Sequence, residues 1–241
     1  MSLLVLGTSL VAGTLGAPWV DKLDKSGLKI LNYGINGVQL PGIIEQVKTL
    51  QIEKPKAIVI VAGGNDVYAS FPELKQGVFG NGRKGRPDSS PEEFKIEMLE
   101  LLSLLSEMYG EVPIGIGNIK PIGEQLDTNL NDQLRAFNGV IDEIICTKSN
   151  YSLLDFYTPL SDLCRQNNLA VKIESDNLTF MINPSRMIYI YSLYKLTLGY
   201  YSYDSIGDAR GFYCTCDGSH FNERSAAIAL KIVLDYLSTL K

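Results

Sequence analysis

The chain contains one histidine, His220, and an aspartate stands three residues before it in Asp217-Gly218-Ser219-His220. One short turn can carry both side chains at that spacing. The carboxylate then accepts from one ring nitrogen and leaves the other to take a proton. A lone histidine can also simply hydrogen-bond within a loop or cap. The matching nucleophile would be a hydroxyl, and Ser9 in Gly7-Thr8-Ser9-Leu10 directly follows a short apolar run. Taken alone, Ser9 reads as a helix N-cap and Thr8 as the donor of a local backbone hydrogen bond. The same position suits a nucleophile, because amides at a helix start favour a developing oxyanion.

Two more segments could supply oxyanion donors. Asn32-Tyr33-Gly34-Ile35-Asn36-Gly37 contains glycines that either permit a tight turn or let a backbone N–H approach a ligand unobstructed. In Gly63-Gly64-Asn65-Asp66, the Asn65 amide either bonds its own backbone or donates to a substrate oxygen.

The elements around these segments alternate. The apolar run Leu3–Leu6 reads as a buried strand, Leu28–Leu31, Ala57–Ala62, Val112–Ile116 and Tyr151–Leu154 read as further strands, and Asn32-Tyr33-Gly34 reads as the turn that ends the second. Ile43, Val47 and Leu50 mark one helix face. Ser90-Pro91-Glu92-Glu93 starts a helix whose Phe94, Met98, Leu102, Leu105 and Tyr109 share a face and which Gly110 stops. Asp127 opens another, with Leu130, Leu134, Phe137, Ile141 and Ile145 inward. The last runs from about Asn222, with Ala226, Leu230, Val233, Leu237 and Leu240 inward. Residues 71–90 read as a loop. Within 165–213, a helix is expected over Ser185–Leu198, where strands are the competing reading, and a short one over Ser202–Ala209, ended by Gly211. Strands alternating with helices imply a parallel sheet covered on both faces, with ligands at the carboxyl ends of the strands. Three of the four chemical segments fall at such ends, and the fourth leads into the final helix.

In order and placement the four segments resemble the SGNH hydrolase family, the GDSL-type esterases. The resembling blocks are Gly-x-Ser near the amino terminus, Asn-x-Gly-x-x-Gly, Gly-Gly-Asn-Asp, and Asp-x-x-His near the end. The resemblance implies a three-layer α/β/α sandwich with a mostly parallel five-stranded, flavodoxin-like sheet. It implies one domain over 1–241, carrying the inserted loop 71–90 and an extra, mostly helical segment 165–213. It implies a serine esterase or acylhydrolase that cleaves a small-molecule carboxylic ester through an acyl-enzyme, without cofactor or metal. Ser9 would be the nucleophile, His220 the general base and then the general acid, and Asp217 the residue that orients His220. Asp155, at another strand end, is the substitute orienter. The oxyanion hole would comprise the Ser9 and Gly37 backbone N–H groups and the Asn65 side-chain amide, Gly37 being preferred to Gly34 as the second glycine of its block. One departure is Thr8, where the family usually has Asp; that residue is outside the triad. An acyltransferase on the same fold and a non-catalytic binding module are the alternatives, and the complete residue set argues against the latter.

Composition narrows the field further. Net charge is −5 and no basic run stands out, so nucleic acid is not an expected partner. No apolar stretch reaches the roughly 18 residues of a membrane span. Leu3–Leu6 is too short for a secretory leader, so a cytoplasmic location is expected. Cys146, Cys164, Cys214 and Cys216 lack framework spacing and read as reduced thiols. Tyr189, Tyr191, Tyr194, Tyr200, Tyr201 and Tyr203 crowd one segment, which reads as packing and ordinary surface; a lid, a sugar-stacking platform and a dimer interface are the other readings.

Overall fold

The computed structural model describes residues 1–71, 89–166, 198–199, 201–209 and 211–240. Strands β1 (Ser2–Gly7), β2 (Lys29–Gly34), β3 (Ala57–Val61), β4 (Ile114–Gly117) and β5 (Tyr151–Leu154) form one sheet in the order β2-β1-β3-β4-β5. Every pairing in it is parallel, where the expectation was mostly parallel. The strand order reverses at β1 and β3, and a ligand crevice forms outside the carboxyl ends of strands at such a switch point.

Alternation along the strands divides the core into two layers. Leu4 and Leu6 of β1, Ile58 and Ile60 of β3, and Ile114 and Ile116 of β4 point to one face. There they meet α2 (Leu40–Lys48), α4 (Pro91–Tyr109) and α5 (Asn129–Ile145), through Ile43, Val47, Phe94, Met98, Leu134 and Phe137 among others. Leu3, Val5, Ala57, Val59 and Val61 point to the other face. It is covered by Trp19, the 3₁₀ segment Val20–Ser26, α6 (Tyr157–Arg165) and α8 (Glu223–Thr239). Helices on both faces of the sheet make the three-layer sandwich.

Several boundaries differ from expectation. β2 continues through Asn32-Tyr33-Gly34, which were expected to turn, because these residues pair with Val5, Leu6 and Gly7 in register. Ladder pairing overrides the local turn preference of Asn and Gly. The helix expected to open at Asp127 is capped by Thr128, whose side chain accepts from the Asn131 amide. Ser90 forms the capping box with Glu93, as its spacing predicts. The final helix starts from Asn222, whose side chain accepts from the Ser225 amide, and buries Ala226, Ala229, Val233 and Tyr236. Leu230, Leu237 and Leu240 are partly buried at its flank. A short helix α7 (Tyr203–Asp208) stands where one was expected, capped by Ser202. The expected helix Ser185–Leu198 up to its last residue, most of the 71–90 loop, and Tyr189, Tyr191, Tyr194 and Tyr200 lie outside the described residues; Leu198 itself is an exposed turn residue. All four cysteines are free thiols, and three of them are buried. No helix among the described residues is long and apolar enough to cross a membrane.

Candidate active site

Ser9 opens a four-residue helix, α1 (Ser9–Ala12), directly after β1. It is not the N-cap; Thr8 occupies that position and makes no side-chain capping bond. A helix this short cannot hold itself, and surrounding groups hold it instead. Gly13 N donates to Ser9 O at 3.1 Å. Trp19 Nε1 donates to Leu10 O at 2.8 Å and Asn32 Nδ2 donates to Val11 O at 3.0 Å. The Ser9 side chain is thereby released from capping and faces the carboxy-terminal turn.

In that turn, Cys216 N donates to His220 O at 3.0 Å, closing a tight hairpin in which Gly218 adopts φ 90°. Asp217 Oδ1 accepts from the amides of Ser219 (2.9 Å) and His220 (2.7 Å). Asp217 Oδ2 lies 2.6 Å from His220 Nδ1, and His220 Nε2 lies 3.0 Å from Ser9 Oγ. Ser9, His220 and Asp217 thus form one hydrogen-bonded chain linking residues 211 positions apart. Burial alone would raise the Asp217 pKa. The nearby His220 charge, the ring hydrogen bond and the two backbone N–H groups outweigh it and hold the carboxyl well below the ordinary range. Asp155 is engaged elsewhere. Its Oδ1 accepts from Asn118 Nδ2 at 2.9 Å and from Thr158 N at 3.0 Å, at the start of α6.

Gly63, with φ 107°, turns the chain into a short helix α3 (Gly64–Ala69), so Asn65 is helical where a turn was expected. A Cβ at Gly63 would also press on Ile119 Cδ1 at 2.6 Å, a side-chain end that can shift, so it is the backbone conformation that calls for glycine there. Asn65 Nδ2 donates to Val38 O at 2.7 Å, a bond that ties α3 to the residue following Gly37. The two candidate oxyanion segments are therefore held against each other. Gly34 is fixed by packing instead: a Cβ there would meet Ala12 N at 2.1 Å. Gly37 adopts φ 67° in the turn that follows β2.

A pocket opens beside Ser9, walled by Asn65, Tyr68, Ile119, Ile122, Phe156 and Phe221, with Lys120 and Ser219 also lining it. Gly37 is not among its lining residues. Tyr68, Ser219 and Lys120 were not singled out from sequence. Tyr68 lies one helical turn after Asn65, so i, i+3 spacing would have pointed to it. Its hydroxyl donates to Ser219 Oγ at 3.2 Å, and burial pushes its pKa up. Lys120 is buried, donates to Pro121 O at 2.9 Å and lies 5.8 Å from the Phe221 ring centroid. Burial pushes its pKa down, against the pull of Cys164, Asp217, Cys214 and Glu124.

Residues 3–233 match the family model of GDSL-like lipase/acylhydrolase. No curated protein matches the chain. Among solved structures, a member of the lipolytic G-D-S-L family from Veillonella parvula superposes with a TM-score of 0.60 at 17% identity, over 99% of this chain and 98% of its own. A catalytic mutant of an acetylxylan esterase from Geobacillus stearothermophilus gives 0.62 at 14% identity, over 98% and 93%. An α/β hydrolase from the metagenome of Lake Arreo, Spain, gives 0.60 at 13% identity, over 100% and 96%. At such identities the structural likeness speaks for the fold, while the family match spans nearly the whole sequence. The chain belongs to the GDSL-like lipase/acylhydrolase family, and it is a hydrolase that acts on esters.

Proposed function

We propose that the chain cleaves a small carboxylic ester through an acyl-enzyme on Ser9. The observation that supports this reading is the continuous Ser9–His220–Asp217 chain, with contacts of 3.0 and 2.6 Å. A serine hydroxyl is a weak nucleophile until a base takes its proton. With Nδ1–H directed at Asp217, the Nε2 lone pair of His220 faces Ser9 Oγ and accepts that proton as Oγ attacks the carbonyl. The imidazolium that forms is stabilised by the Asp217 carboxylate. The negative charge moves to the former carbonyl oxygen, where the Ser9 amide, the Gly37 amide and the Asn65 side chain donate to it. An amide nitrogen carries two hydrogens, so Asn65 can keep its bond to Val38 and still offer one to the oxyanion.

His220 then gives its proton to the leaving alcohol as the tetrahedral species collapses. Water, deprotonated by His220, attacks the acyl-enzyme and releases the acid. The apolar pocket walls, Ile119, Ile122, Phe156 and Phe221, suit the acyl part of the substrate. Thr8, where the family usually has Asp, lies outside this relay. A fluorophosphonate probe tests the assignment. It should label the protein once, at Ser9, and Ser9→Ala should lose both labelling and ester turnover while remaining folded. A labelled peptide containing another serine would show the nucleophile to be elsewhere. A chain-length series of nitrophenyl esters, run beside acetylated sugars, then reads which acyl and alcohol groups the pocket takes.

A further inference from the structure

The turn that carries Asp217 and His220 is preceded by three consecutive residues, Tyr213, Cys214 and Thr215, whose amides all point at one side chain. Glu124 Oε2 accepts from Tyr213 N at 2.7 Å. Glu124 Oε1 accepts from Cys214 N at 2.6 Å and from Thr215 N at 3.0 Å, and the Thr215 hydroxyl donates to it at 3.2 Å. Successive amides facing the same way cannot be satisfied by a strand ladder, where they alternate; they form a concave nest that suits an anion. Hydrogen bonds to a carboxylate are roughly twice as strong as those between neutral groups.

The contacts continue from this cradle to the pair itself. Thr215 Oγ1 accepts from Gly218 N at 3.0 Å, and Gly123 N donates to Gly218 O at 2.7 Å. The residue immediately after Asp217 is therefore gripped at both its amide and its carbonyl, by Thr215 and by the neighbour of Glu124. The loop that presents Glu124 is in turn anchored on α5. Asn131, fully buried, accepts from Ile122 N at 3.0 Å and donates to Ile122 O at 2.9 Å and Gln125 O at 2.8 Å. Two helical turns further on, Asn138 accepts from Ile119 N at 2.7 Å and donates to Ile119 O at 2.9 Å.

We propose that Glu124 is a positioning residue for ester hydrolysis: by holding the amides of Tyr213, Cys214 and Thr215 it fixes the turn that aims His220 at Ser9. The proposal rests on the serine-esterase reading. Its path runs from α5, through the loop after β4, to the Asp217–His220 turn. Glu124 is not among the residues lining the pocket beside Ser9, so its removal should act on the chemical step and not on ground-state binding.

The test compares Glu124→Ala, Glu124→Gln and Thr215→Val with the parent and with Ser9→Ala, in ester kinetics and thermal unfolding. A base displaced by about 1 Å costs on the order of 100-fold in rate. Glu124→Ala should therefore lower kcat by roughly 10- to 100-fold with KM little changed. Glutamine can keep the bonds made by Oε1 while giving up the one from Tyr213 N, so Glu124→Gln should recover most of that loss. Thr215→Val removes the hydroxyl that joins Glu124 to Gly218 and should lower kcat in the same manner. If Glu124→Ala fails to fold, Thr215→Val decides the matter. Parental kcat in the folded variants, with only the melting temperature lowered, would overturn the proposal, as would a raised KM with kcat unchanged. Loss of turnover in Ser9→Ala together with parental kcat in the Glu124 and Thr215 variants would overturn the positioning role alone. Retained turnover in Ser9→Ala would overturn the underlying reading as well.

Discussion

Asn65 already spends one amide hydrogen on Val38 O, and that bond explains why this side chain is held in place before any substrate arrives. A donor fixed in advance need not reorganise when charge develops, which is what makes an oxyanion contact worth more in the transition state than in the bound ester. Removing one such donor typically costs about 3 to 4 kcal/mol of transition-state stabilisation. Asn65→Ala should therefore cut kcat by roughly 100-fold or more and leave KM nearly unchanged. Steady-state kinetics beside a melting curve checks this; unchanged kcat with a weakened KM would show that Asn65 binds the ground state only. At this scale the sequence was informative for a definable reason. Ser9, Asn65, Asp217 and His220 carry their chemistry in their residue types, and their order along the chain places them. Lys120, Tyr68, Ser219 and Glu124 do not. Glu124 faces amides 89 to 91 positions away, and nothing local marks a glutamate that will meet them.

Among the elements, the strands and long helices followed from period and capping residues, and the failures share one cause. β2 runs on through Asn32-Tyr33-Gly34 because β1 lies beside it to receive the hydrogen bonds. α1 and α3 have four and six residues, too few for a hydrophobic period to show. Each is held by neighbours remote in sequence, as α1 is by Trp19 and Asn32. The meeting of β2 and α1 is the tightest of these joints. A methyl at Gly34 would lie 2.1 Å from Ala12 N and 2.6 Å from Ala12 Cα, so backbone and not a pliable side chain must give way. Overpacking a well-filled site costs about 1–3 kcal/mol, occasionally more. Gly34→Ala should lower stability by at least that amount in urea unfolding and, by shifting α1, reduce the rate of fluorophosphonate labelling at Ser9. A variant with parental stability and labelling would mean that α1 yields freely, contrary to its bonding.

For the molecule as a whole, the site has a thermodynamic signature that is independent of turnover. Asp217 is buried, and burial alone would make its carboxyl easier to protonate. His220 beside it and the amides of His220 and Ser219 reverse that, so the folded protein holds this group ionised well below the ordinary carboxylate range. In the unfolded chain an aspartate takes up its proton near pH 3.9. Below about pH 5 the unfolded state therefore begins to bind more protons at this position than the folded state does. The contribution to stability is present in full above that range and is lost progressively as pH falls toward the depressed folded value. Asp217→Asn has no proton to exchange at this position, so it lacks this part of the acid dependence, whichever protein is the more stable at neutral pH. Urea unfolding of both proteins at pH 7, 5 and 3.5 should show the parent losing more free energy on acidification than the Asn variant. The parent's larger loss should set in below about pH 5. Parallel losses across the whole range would mean that Asp217 titrates alike in the folded and unfolded states. The contacts at 2.6, 2.7 and 2.9 Å would then not hold the carboxylate in solution.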